Sequence, residues 1–252
     1  MNETLETCLN LYKEGEYEES VKCYNRQLKK DPNNIKALNN KGTALCIIGE
    51  FQEGIETYEQ ILKIDPENIN ALYNKANALN NSKRFEEAIE TYEKVLKIDS
   101  KHIHTLNNKG SALRILGRYE EAIETYDEYL KIEPKNKRAL INKGFALSNW
   151  GKFKEAINVY RKVLEIEPEN KVALNNIAFS YENLEDYDSA LETYKKVLEI
   201  DENNFTALIG CGKIYIKLDK YNESLKYLNI VLDENPENPI ALKLRKEVLS
   251  KL

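Results

Sequence analysis

Little in this chain offers a reactive centre. Its 252 residues include only two histidines, His102 and His104, and residues two apart do not share a helix face. One reads as a helix cap standing in for asparagine, the other as a helix-face residue. No glycine-rich phosphate loop, acid cluster or Ser/His/Asp combination is present, so catalysis is not expected and no cofactor or metal is implied. The longest all-apolar stretch, Ala44–Ile48, is far too short to span a bilayer. Residues 1–10 carry acids and no apolar run, which points away from a secretory leader and toward the cytoplasm. The four cysteines, Cys8, Cys23, Cys46 and Cys211, form no Cys-x-x-Cys pair and read as reduced thiols used as small apolar side chains. Charged residues make up 31% of the chain, the net charge is −5 and no linker stands out, as expected of an ordinary soluble helical protein.

Proline is scarce but regular. Pro32 and Pro66 are 34 residues apart, and the step returns at Pro134, Pro168 and Pro236, with Ser100 and Glu202 at the intermediate stops. A fixed period of this size marks units that bury their apolar faces only by stacking. Seven repeats follow, 1–34, 35–68, 69–102, 103–136, 137–170, 171–204 and 205–238, with 239–252 left as a C-terminal capping helix. The eighth place of each repeat is small (Cys8, Gly42, Ala76, Gly110, Gly144, Ala178, Gly212), and so is the twentieth (Ser20, Gly54, Ala88, Ala122, Ala156, Ala190, Ser224). Helices that cross closely need small residues where their backbones approach, so each repeat is expected to be an antiparallel helical hairpin.

The boundaries agree. Asn34, Asn68, Asn136, Asn170, Asn204 and Asn238 stand where first helices need caps. Gly15, Gly49, Gly117 and Gly151 stand at the turns inside the hairpins, where Lys83, Glu185 and Asp219 replace glycine in the other repeats. The final helix is expected to cover the seventh repeat through Leu242 and Leu249. Lys246 takes its small place and stops the array.

Leu106, Gly110, Leu113, Ala122, Tyr126 and Pro134, matched in register through the other repeats, resemble the tetratricopeptide repeat, and the resemblance covers the whole chain. It implies an all-α fold, a right-handed α-solenoid or superhelix of antiparallel helix pairs with a 34-residue period. It also implies a non-catalytic module that binds protein or peptide, with the first helix of each repeat lining a concave groove. The sequence departs from the family at the seventh place, where Lys41, Lys75, Lys109 and Lys143 replace the usual leucine. A lysine stem covers apolar surface while its ammonium reaches water.

On the groove side, Asn40, Asn74, Asn108, Asn142 and Asn176 form one column. A carboxamide offers donors and an acceptor, so a row of them suits the backbone of an extended peptide. Lys36, Asn39, Arg114 and Arg138 join the column, and no Asp or Glu occupies the groove-facing places of repeats two to five, which favours an acidic ligand. Toward the C-terminus the groove places turn apolar with Ile141, Phe145, Val172, Phe179, Ile209 and Ile216, of which Phe145 and Phe179 are the best candidate anchors. The acidic net charge and the lack of stacking aromatic columns argue against nucleic acid. The alternative to a peptide-binding adaptor is a scaffold that self-associates, and the expected state is a monomer or weak homo-oligomer.

Overall fold

The computed structural model describes residues 4–252, and among them every regular element is an α-helix. The expected start of the first repeat at Met1 lies outside the described residues. The chain divides into two compact units, Met1–Ile132 and Glu133–Leu252. The first unit holds α1 (Leu5–Lys13), α2 (Tyr17–Lys30), α3 (Ile35–Ile47), α4 (Phe51–Ile64), α5 (Ile69–Asn81), α6 (Phe85–Ile98), α7 (Ile103–Ile115) and α8 (Tyr119–Ile132). The second holds α9 (Lys137–Asn149), α10 (Phe153–Ile166), α11 (Lys171–Asn183), α12 (Tyr187–Ile200), α13 (Phe205–Lys217), α14 (Tyr221–Glu234) and α15 (Pro239–Leu249).

Inside each unit a helix packs on its predecessor and its successor, the architecture of an α-solenoid. Within each unit neighbouring odd-numbered helices also approach one another closely, whereas among the described residues neighbouring even-numbered helices do not. The odd helices therefore form the tighter, inner layer of each unit.

Close crossing explains the small columns. A Cβ added to Gly54 would sit 3.2 Å from the carbonyl oxygen of Gly42, and one added to Gly42 would lie 2.8 Å from the ring of Tyr58. Those tyrosines, Tyr24, Tyr58, Tyr92, Tyr126 and Tyr160, are the largest fully buried side chains. In the first and seventh repeats the twentieth place is serine, and its hydroxyl donates across the hairpin: Ser20 to the Cys8 carbonyl and Ser224 to that of Gly212, both at 2.9 Å.

First helices start as their caps dictate. The Asn34, Asn68, Asn136, Asn170 and Asn204 side-chain oxygens accept from the backbone three residues on, while each Nδ2 donates back to Asp31, Asp65, Glu133, Glu167 or Asp201. His102 replaces asparagine before α7, its Nδ1 accepting from the Thr105 amide at 3.3 Å.

The hairpin turns hold Gly15, Gly49, Gly117 and Gly151 at positive φ, and Lys83, Glu185 and Asp219 at +64°, +60° and +55°. A side chain in that region is strained against its own backbone. Lys83→Gly is therefore expected to stabilise the first unit by up to about 1 kcal/mol. A thermal melt checks it, and a variant that melts below the parent contradicts it.

Two expectations are corrected. Cys8 and Cys23 are not free thiols: they form a disulfide between α1 and α2, with Cα atoms 5.3 Å apart and both side chains fully buried. Only Cys46 and Cys211 are free. The final helix docks on the seventh repeat through Ala241, Leu244 and Val248, while Leu242 and Leu249 are 44% and 55% exposed. Leu242 and Leu249 occupy the fourth and eleventh places, which in other repeats face the second helix of the same hairpin, and among the described residues no such helix packs on α15.

Candidate peptide-binding faces

The inner face of the first unit is built by α1, α3, α5 and α7; α1 carries Glu6, and α3, α5 and α7 contain no Asp or Glu. Acids gather instead on α4, α6 and α8, as at Glu53, Glu87 and Glu121. The seventh-place lysines reach toward that acidic layer: Lys75 pairs with Glu59 at 2.6 Å and Lys109 with Glu93 at 3.0 Å, each joining a first helix to the hairpin before it. Their stems are largely covered, which is how lysine occupies a place the family gives to leucine.

The asparagine column is bonded from helix to helix. Asn74 Nδ2 donates to Asn39 Oδ1 at 3.1 Å, tying α5 to α3. Asn108 Nδ2 donates to Asn77 Oδ1 at 2.9 Å and to the Tyr73 hydroxyl at 3.3 Å, tying α7 to α5. Asn40 Nδ2 donates to the Tyr24 hydroxyl at 3.1 Å. Tyr92 donates to Asn77 at 2.7 Å, and Tyr58 meets Thr43 at 3.2 Å. Burial is the main cause that holds the Tyr24, Tyr58 and Tyr92 hydroxyls above the ordinary phenol range, so they stay neutral partners. Asn40, Asn74 and Asn108 thus each donate within the protein. The Oδ1 atoms of Asn40 and Asn74 accept nothing from the described residues and remain available to a ligand N–H.

The other candidate residues are placed unequally. Lys36 is exposed and lines, with Asn40, Tyr24, Leu5 and Glu6, a cavity of 360 Å³. Arg114 is half-buried on α7, where its guanidinium lies beside the Tyr126 hydroxyl. Arg138 and Asn142 lie on α9 of the second unit, Arg138 exposed and Asn142 half-buried. Phe145 is half-buried and edge-on to Tyr160 at 6.2 Å, a packing role, whereas Phe179 is 44% exposed and touches Phe153 only edge-on at 6.3 Å. Ile216, expected on the groove, is instead part of the core with Leu228 and Val231. Asn176 turns back on α11, its Nδ2 donating to the Val172 carbonyl at 2.7 Å.

Beside Asn176 and Phe179 opens a cavity of 390 Å³ within the second unit. Tyr194, Gly210 and Lys213 belong to its lining, and the sequence pattern did not single them out. The available signal was the sixth place of the seventh repeat, where glycine breaks the asparagine column.

Among the described residues no helix is long and apolar enough to cross a membrane, and no three His, Cys, Asp or Glu side chains gather as a metal site. Burial pushes the Cys211 thiol up to about 12, which leaves it a poor nucleophile.

Tetratricopeptide repeat models match residues 35–68, 67–135, 138–170, 159–192 and 184–248, and a TPR repeat model matches residues 10–46. The chain belongs to the tetratricopeptide repeat family. Its fold is similar to that of a tetratricopeptide repeat protein from Parabacteroides merdae, at 19% identity and a TM-score of 0.70 over 97% of each chain. It is also similar to the C-terminal part of a TPR repeat-containing protein from Cytophaga hutchinsonii, at 16% identity and a TM-score of 0.81 over 96% of this chain and 99% of that one. YrrB, described as a TPR protein with an unusual peptide-binding site, aligns at 21% identity and a TM-score of 0.62 over 73% of this chain and 95% of its own. No curated protein shows significant sequence similarity to the chain. Members of a repeat family with this architecture serve as protein-interaction modules, and the tetratricopeptide repeat chain described here is one by fold.

Proposed function

We propose that this tetratricopeptide repeat protein is a non-catalytic adaptor that holds an extended, acidic peptide segment on the inner face of its first unit. The observation that carries the reading is the amide-lined face of α3, α5 and α7, free of acids, with the Asn40 and Asn74 oxygens open to a ligand's backbone. Tyr24 fixes the Asn40 amide and Asn39 that of Asn74, while Asn108 continues the column to Asn77. Lys36 and Arg114 supply positive charge, so acidic segments are favoured over basic ones. On the second unit Arg138, Asn142, Asn176 and Phe179 are the residues proposed to meet a ligand. YrrB, which shares the fold, supports a peptide as the class of partner. A cytoplasmic setting keeps thiols reduced, so the Cys8–Cys23 bond favours a compartment that oxidises them.

The test is affinity for a peptide selected from a random library on the intact chain. Asn40→Ala with Asn74→Ala is expected to weaken it about fivefold or more, from roughly 0.5–1.5 kcal/mol per lost hydrogen bond, at unchanged helicity. Undiminished affinity of the folded double variant would move the ligand off this face. Self-association is the second reading, favoured by the open leucines of α15. Light scattering at two concentrations separates the two, since a monomer at both supports the adaptor.

A further inference from the structure

The asparagine column stops at Gly210. In the first repeats a buried tyrosine sits sixteen residues before a column asparagine, and Tyr24 with Asn40 shows the resulting contact. Tyr194 stands in that relation to Gly210, and a Cβ at Gly210 would run into the Tyr194 ring. Loss of the carboxamide has two consequences. The tyrosine leans over bare backbone and turns its hydroxyl to Glu182, donating at 3.3 Å. The Tyr194 ring takes the place of the asparagine's Cβ, and Gly210 and Tyr194 together line the 390 Å³ cavity.

The walls of that cavity are apolar. Phe179, Tyr194, Phe205, Ile209 and Ile240 supply them, and Phe179 and Ile240 are both more than a third exposed, although each is large and apolar. Polar groups of two kinds stand at the edge. Asn176 spends its Nδ2 on its own helix, which leaves its Oδ1 without a partner among the described residues. Lys213, half-buried, makes no ion pair there, while the one acid present, Glu182, is engaged by Tyr194.

We infer that this cavity is a specificity pocket for one large apolar side chain of an extended peptide, such as leucine or phenylalanine, flanked by an acidic residue that meets Lys213. The inference rests on the peptide-binding reading above but concerns the other unit. Apolar walls exclude a polar side chain, because burying one without hydrogen bonds is costly. The unpaired ammonium selects the charge of the neighbour, and the Asn176 oxygen accepts a backbone N–H between them.

The experiment uses the intact chain and a library of random peptides. The parent is expected to enrich segments with a large apolar residue next to Asp or Glu. Gly210→Asn, whose side chain must displace the Tyr194 ring that walls the cavity, is expected to abolish the apolar preference at unchanged helicity. Phe179→Ala, at an exposed position that leaves the fold intact, is expected to weaken an enriched peptide about tenfold, the effect of losing most of one buried apolar contact. Lys213→Gln is expected to remove the preference for the acidic neighbour and keep the apolar one. An apolar preference that persists in both Gly210→Asn and Phe179→Ala, or a parent that enriches no apolar position, overturns the pocket. Asn40→Ala with Asn74→Ala reports on the first unit: if it abolishes binding while the two pocket variants leave affinity and preference unchanged, the general reading stands and the pocket falls. Loss of the preference in the pocket variants alone supports the pocket and removes the first-unit face.

Discussion

Gly144→Leu is expected to destabilise the second unit by about 3 kcal/mol, the upper part of the usual range for overpacking, and to lower its melting temperature by roughly 10 °C. The cause is local. A Cβ on Gly144 already collides with the ring of Tyr160, a side chain with no exposed surface, and leucine adds three further carbons in the same direction. The chain contains its own milder control, since Ala76 and Ala178 occupy the same place in other repeats and are buried without breaking their hairpins. Gly144→Ala should therefore cost much less than Gly144→Leu. Melting of the leucine variant within a degree or two of the parent would remove Gly144 from a close helix crossing.

Reduction of Cys8–Cys23 is expected to cost the first repeat about 3 kcal/mol, the loop-closure value for a cross-link of this span, the two cysteines being 15 residues apart. In a stacked array each repeat contacts only its neighbours, so a cross-link inside one repeat acts chiefly on that repeat. The disulfide and the Ser20 hydrogen bond both act within the first hairpin. Hydrogen exchange with and without a dithiol reductant checks it: protection should fall in α1 and α2 and persist in α5 and α6. Equal protection in both states, or a loss spread over the first unit, contradicts a local staple.

The repeat frame was legible because its signals are local or periodic. Caps such as Asn34 act three residues along the chain, and turns such as Lys83 or Asp219 lie at a fixed place in every repeat, so the period predicted even the three strained residues. Contacts across helices were less legible. Cys8 and Cys23 lie in different columns and meet only because the hairpin brings them face to face. Lys75 finds Glu59 across two hairpins, and Asn108 finds Asn77 through side-chain rotamers that spacing does not encode. The asparagine column was visible as a pattern, but Asn40, Asn74 and Asn108 donate to neighbouring helices and Asn176 to its own, while the acceptors of Asn40 and Asn74 stay open. The error at α15 has the same origin: Leu242 and Leu249 keep the places of core leucines, yet a core place needs the opposite helix to be present.

Amide chemical-shift mapping of the intact chain, titrated with an acidic peptide enriched from the random library, tests peptide binding on the inner face most directly. Saturable shifts are expected at Asn39, Asn40, Asn74 and Asn77 on α3 and α5, and they should weaken in parallel with affinity when Asn40 and Asn74 are replaced by alanine. Shifts confined to the outward faces of the even-numbered helices, around Glu56 and Glu90, or to the open side of α15, would contradict it.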